Sequence, residues 1–219
     1  MEMNIEQARF NMIEQQIRPW NVLDPHVLEL LGAVKREDFV PLAHKALAFV
    51  DMSIPLPGGQ SLLTPKVEAR LVQEVNAQRH EKVLQIGVGS GYVTALLAHR
   101  AQRVIGLDSS SELVQLARAN LQKAGIFNAE VRQADAATGA GADQPFDAIV
   151  LAGSVAQVPP ALLQQLKVGG RLVAIVGEEP MMYATVITRT GENTFDSQQR
   201  WDTVAARLQG FVEPSRFKF

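Results

Sequence analysis

Of the 219 residues none is cysteine, so disulfides, thiol nucleophiles and cysteine-held metals are excluded. That fits a reducing compartment, and a cytoplasmic location is the expectation. Charge of one sign is also missing: the formal net charge is −2, which leaves no basic field for nucleic acid. No apolar run approaches the ~18 residues of a membrane span, and residues 1–18 lack the apolar stretch of a signal peptide. Histidine is sparse. His26, His44, His80 and His99 lie apart, each on or beside a predicted helix, without metal-ligand spacing. No metal is expected. What remains is ordinary globular material, 47% apolar and 20% charged, enough for one well-buried domain.

The most informative stretch is residues 81–92, Glu-Lys-Val-Leu-Gln-Ile-Gly-Val-Gly-Ser-Gly-Tyr. A short apolar run meets Gly87, Gly89 and Gly91, and a helical apolar pattern follows. Strand, glycine turn and helix in that order present backbone N–H groups to a nucleotide-like ligand. A dinucleotide fingerprint needs a further glycine where Tyr92 stands, which disfavours a nicotinamide oxidoreductase. The G-x-G-x-G spacing resembles the first motif of S-adenosylmethionine (AdoMet) methyltransferases. Ser90 does not make a nucleophile elbow, because the pattern centres on Gly89.

Around this motif the chain divides into a cap and an alternating α/β region. Residues 5–17 carry one apolar helical face, ended at Arg18-Pro19. Asp24-Pro25 supplies an N-cap and first helical position for a second helix, and a short helix is expected over residues 42–48. Residues 49–64 read as a broken, turn-rich loop. Thr64-Pro65 opens a helix to about Ala77. Strands are predicted at 83–86, 103–107, 129–133, 148–151, 171–176, 184–189 and 195–201, with helices at 93–98, 111–124 and 160–166. The expected architecture is an α/β, doubly wound, mostly parallel sheet with an N-terminal helical cap. We expect one domain: residues 1–64 form the cap and substrate-side loop, and 65–219 the cofactor-binding core.

Asp108 ends the second strand, where α/β nucleotide sites place the carboxylate that accepts from ribose hydroxyls. It is followed by Ser109, and Ser110 or Ser111 is free to cap the next helix. Asp135, before Ala136, is suited to accept from an adenine amine. Asp147 falls at the opposite end of the sheet and reads as structural, and Trp20 and Trp201 read as packing residues.

Taken together the residues resemble the protein-L-isoaspartate O-methyltransferase family. The likeness rests on Met12-Ile13-Glu14-Gln15-Gln16-Ile17-Arg18, Phe39-Val40-Pro41, Ile54-Pro55-Leu56-Pro57-Gly58-Gly59-Gln60, the glycine motif, residues 146–150 and residues 160–173. The resemblance implies methyl transfer from AdoMet to the α-carboxylate of isoaspartyl residues in damaged proteins, the first step of their repair. It also implies a cofactor set of Gly87, Val88, Gly89, Ser90, Gly91, Asp108, Ser109, Asp135, Ala136, Leu62 and Leu63. Isoaspartyl peptides or proteins are the expected partners, without nucleic acid or membrane.

The chain departs from the family on the acceptor side. The family's Gln-Thr-Ile-Ser aligns with Gln60-Ser61-Leu62-Leu63, so its serine falls on Leu63. Ser61 and Thr64 are the remaining candidate catalytic hydroxyls. Gln85 replaces an acidic residue, Ala152-Gly153-Ser154 replaces Thr-Ala-Ala, Asp135-Ala136 replaces aspartate–glycine, and residues 201–208 do not match the family's terminal strand. The resemblance thus implies a weakened or altered acceptor reaction. A different acceptor and a non-catalytic AdoMet-binding protein are the alternatives.

Overall fold

A computed structural model describes residues 4–213. Helix α1 (Ile5–Asn11) is capped by Asn4, whose side chain accepts from Gln7 N at 3.1 Å. It continues as a wider π-helical turn, Met12–Ile17, which buries Met12, Ile13 and Ile17. Pro19 then enforces a 3-10 turn, since its ring cannot continue the helix. Helix α2 (Pro25–Ala33) starts as predicted, with Asp24 accepting from His26 N at 2.9 Å. Residues Leu42–Leu47 form a 3-10 helix.

The turn-rich stretch is more ordered than its composition suggests. Strands β1 (Ile54–Pro55) and β2 (Ser61–Leu62) pair as a small antiparallel hairpin. Ile54, Leu56, Leu62 and Leu63 are buried, so the segment contributes to the core. Helix α3 (Pro65–Val75) follows and stops at Asn76, two residues before the predicted end, where the backbone turns left-handed (φ 44°).

The main sheet contains β3 (Lys82–Ile86), β4 (Arg103–Asp108), β5 (Ala129–Gln133), β6 (Phe146–Val155), β7 (Leu166–Glu178), β8 (Met181–Arg189) and β9 (Phe195–Asp202). Its order is β5-β4-β3-β6-β7-β8-β9. The first five are parallel, and β8 and β9 add an antiparallel meander. Helices α4 (Tyr92–Arg100), α5 (Ser111–Lys123) and α6 (Pro160–Leu163) connect the parallel strands. Helix α6 is shorter than predicted. Gln165 turns away to hold Ala140 N and Thr138 O, and Leu166 already pairs with Phe146.

Both faces of the sheet are covered, and the period-two alternation sorts the strand residues between them. Val83, Ala148 and Val150 face a core shared with the cap, including Met12, Ile17, Leu31 and Tyr92. Leu84, Ile86, Ile149 and Leu151 face the second core with Phe146 and Leu162. Asp147 lies within β6, where it accepts from Lys82 N and Lys167 Nζ, a structural role as expected. Trp201 packs, but Trp20 is exposed beneath the Lys66 ammonium. No helix among the described residues is long and apolar enough to cross a membrane.

The chain leaves β3 on one side for β4 and β5, then returns on the other side for β6. That reversal is the topological switch point where open α/β sheets bind ligands. Pairing of β3 with β6 ends at Ile86 and Leu151, yet β6 runs on to Val155. Its last residues therefore lack β3 as a neighbour.

Candidate active site

The glycine loop leaves β3 as predicted. Gly87 N donates to Leu107 O at 2.9 Å, and Gly91 N closes the turn onto Val88 O at 2.8 Å. Gly91 has φ +91°, and a Cβ there would stand 3.3 Å from the Ala117 backbone of α5. Only glycine combines that backbone with so close a helix. Val88 fills the space left by Gly106 in β4. Ser90 is fully buried behind the loop, and its carbonyl accepts from Asn120 Nδ2.

Asp108 lies beside this loop, but its carboxylate already has partners. Val88 N and Gly89 N donate to Oδ2 at 3.1 and 3.3 Å, and Ser110 N donates to Oδ1 at 3.0 Å. Of the roughly four acceptor positions on a carboxylate, three are taken by the protein itself. The side chain is buried, with the residue 7% exposed. Ser110 caps α5, so the capping expected of this stretch falls on Ser110 and not on Asp108. Asp135 is exposed and caps the turn Ala136–Thr138 through Ala137 N.

Four expected cofactor residues, Gly87, Asp108, Ser109 and Ala136, do line one crevice. Three residues absent from the expected set join them: Gln60, Leu208 and Gln209. The crevice has a volume of about 20 Å³. That is room for about one water, against about 300–1,000 Å³ for small-molecule sites. Leu208 fills the remaining space. A Cβ on Gly87 would lie 2.5 Å from Leu208 Cδ2, and one on Gly153 would lie 2.7 Å from it. Gly210 brings the same segment towards Asp135, with a Cβ position 3.8 Å from Asp135 Oδ1. In this arrangement the crevice does not fit AdoMet.

The acceptor-side residues diverge in placement. Ser61 is half-buried in the hairpin, next to the crevice residue Gln60. Leu62 packs towards Gly89. Leu63 is buried in the cap-side core, and its carbonyl accepts from Arg36 Nη2 at 2.9 Å. Thr64 holds the N-cap position of α3 without a side-chain capping bond, and its hydroxyl is buried with no partner. Gln85 is buried with Nε2 on Gly87 O at 3.2 Å. An amide can donate in that place and an ionised carboxylate cannot.

Sequence reasoning missed Arg36. It is fully buried and also donates to Ala48 O at 2.7 Å and Glu68 Oε2 at 2.8 Å. Burial pushes the Glu68 carboxyl upward, opposed by the Arg36 charge. The Tyr92 hydroxyl is likewise raised by burial, and its ring lies 5.8 Å from the Arg36 guanidinium. The signal available in the sequence was Glu68 itself, an acid set on the apolar face of α3 among Val67, Leu71 and Val72.

Comparison with known proteins places this geometry. Residues 7–205 match the family Protein-L-isoaspartate(D-aspartate) O-methyltransferase (PCMT). A protein-L-isoaspartate O-methyltransferase of Syntrophus aciditrophicus is 35% identical over 188 residues, covering 86% of each chain. One of Marinobacter nauticus is 35% identical over 208 residues, covering 94% of this chain and 95% of its own. A Plasmodium falciparum crystal structure assigned to the same enzyme, in complex with S-adenosyl-L-homocysteine, superposes with TM-score 0.79. It is 18% identical and covers 95% of this chain and 100% of its own, so it supports the fold.

Proposed function

The chain belongs to the protein-L-isoaspartate(D-aspartate) O-methyltransferase family of AdoMet-dependent transferases, and from that premise we propose that Ser61 holds its acceptor carboxylate. The acceptor is the α-carboxylate of an isoaspartyl residue, which becomes a methyl ester. A carboxylate is ionised near neutral pH, so its oxygen is a nucleophile without a general base. The protein's task is to hold that oxygen in line and exclude water. A hydroxyl suits this, because it donates a hydrogen bond and leaves the charge in place.

Of the two candidate hydroxyls, Thr64 Oγ1 is sealed, whereas Ser61 is half-buried and directly follows Gln60, which lines the crevice. That contrast carries the assignment. The Arg36 bond to the Leu63 carbonyl fixes the backbone just after Ser61. The expected glycine-loop residues, with Asp108, Ser109, Asp135 and Ala136, form the proposed cofactor side. The test is transfer of a radiolabelled methyl from AdoMet to an isoaspartyl peptide, with the aspartyl isomer as control. Base-labile label on the isoaspartyl peptide alone is the expected result. Label on neither peptide, with label appearing in a metabolite extract, would overturn the isoaspartyl acceptor.

A further inference from the structure

The segment from Ala205 to Gly210 contains no regular element, yet it is held at several points. Ser154 N donates to Ala206 O at 2.8 Å, and Leu208 N donates to Ser154 O at 3.0 Å. The Ser154 hydroxyl donates to Ala205 O at 2.7 Å and lies 3.3 Å from Arg207 Nη1. Arg207 also donates to Gly177 O at 2.7 Å. Ser154 and Arg207 form a parallel bridge. The segment thus takes the position beside β6 that β3 vacates after Ile86. Along that line its Leu208 reaches Gly87, the first glycine of the loop.

Its side chains complete the occlusion. Leu208 sits on Gly87 and Gly153, each too close for any Cβ, and packs against the second core. Gln209 reaches the hairpin tip, with Nε2 3.4 Å from Gly58 O. Gly153 and Ser154 are therefore fitted to this segment: one makes space for Leu208 and the other anchors its backbone. The family match ends at Ala205, so the occluding residues 206–210 lie beyond it.

We propose that residues 205–210 are a displaceable plug, competing with AdoMet for the crevice lined by Gly87, Asp108, Ser109 and Ala136. The proposal rests on the AdoMet-dependent reading and adds a gate to it. Cofactor binds only the open state, so the apparent dissociation constant is the intrinsic one divided by the open fraction. A segment open one part in ten would weaken binding about tenfold.

The test is calorimetric titration of AdoMet into the full-length chain and two variants, with circular dichroism and melting curves to confirm folding. Leu208→Gly removes the side chain that fills the crevice. Gly153→Ala places a methyl 2.7 Å from Leu208 Cγ and Cδ2 and drives the segment off by a different route. Both variants are expected to bind at least tenfold more tightly than the wild type. In the wild type, added AdoMet should also accelerate hydrogen exchange at the Leu208 amide. Equal affinities in the wild type and Leu208→Gly would overturn the plug while leaving the cofactor reading intact. No binding by any of the three folded proteins at millimolar AdoMet would overturn the plug and the cofactor reading together.

Discussion

Arg36 Nε and Glu68 Oε2 meet at 2.8 Å with both side chains 1% exposed, joining the cap to the first helix of the α/β region. The same guanidinium ties down Ala48 O and Leu63 O, so one residue sets the end of the hairpin segment against both. Removing one partner of a sealed ion pair strands the other charge, at a cost of about 3–5 kcal/mol. Arg36→Met should lower stability by that amount in urea titrations. Arg36→Met with Glu68→Leu should recover most of it, because no buried charge then remains. A double variant as unstable as the single one would show that the carbonyl contacts, not the ion pair, dominate.

Glu81 and Asp147 predict the acid limb of stability. For Glu81, burial alone would raise the carboxyl, but bonds from Arg171 at 2.6 and 2.8 Å and from Gln78 N at 2.8 Å prevail and lower it. For Asp147, burial is again outweighed, here by Lys167 and Lys82 N. A depressed folded pKa gives stability that is present above the unfolded value and lost as pH falls through the folded one. The loss should therefore begin as pH drops below the ordinary values of 4.5 and 3.8. Glu81→Gln should cost about 1.5–3 kcal/mol at pH 7 and flatten this acid limb. Parallel pH profiles for variant and wild type would refute the assignment.

How far such features could be read from the sequence depended on pattern. The glycine loop, Asp108 and the strand–helix alternation were legible because each follows a fixed period or spacing. The hairpin at Ile54–Leu62 has the composition of a loop, since its prolines and glycines hide two short strands. Residues 203–211 carry no periodicity at all. Their place is set by the bonds to Ser154, Gly177 and Gly58 and by the space at Gly153, which are tertiary facts. Asp108 shows the same divide: its position was predictable, its three backbone donors were not.

Gly91→Ala tests whether the third glycine serves the fold or a ligand. The substitution puts a Cβ 3.3 Å from the Ala117 backbone at φ +91°. A left-handed alanine costs about 1–2 kcal/mol before any crowding of α5. A loss of about 2–4 kcal/mol in chemical denaturation is expected, with crowding supplying the excess. A loss under about 0.5 kcal/mol would mean that α5 moves freely and the glycine is not structurally required.

The segment from β2 to the start of α3 separates three side chains that lie close in sequence. Leu63 is buried, so Leu63→Ser should cost about 2–5 kcal/mol, as truncating a core leucine does. Thr64→Val is isosteric and removes a buried hydroxyl that has no partner. That hydroxyl is desolvated without compensation, so the variant should be at least as stable as the wild type. Ser61→Ala, at a half-buried hairpin position, should change stability by less than about 0.5 kcal/mol. On the proposed assignment its effect belongs to turnover: losing a hydroxyl bond to a carboxylate, about 1.5–3 kcal/mol, should lower kcat/KM for an isoaspartyl peptide about 10- to 100-fold. Melting curves and methyl-transfer kinetics on the three variants measure both axes. If Thr64→Val slows transfer and Ser61→Ala does not, the acceptor is held from the other side of the hairpin, and the assignment of Ser61 is wrong.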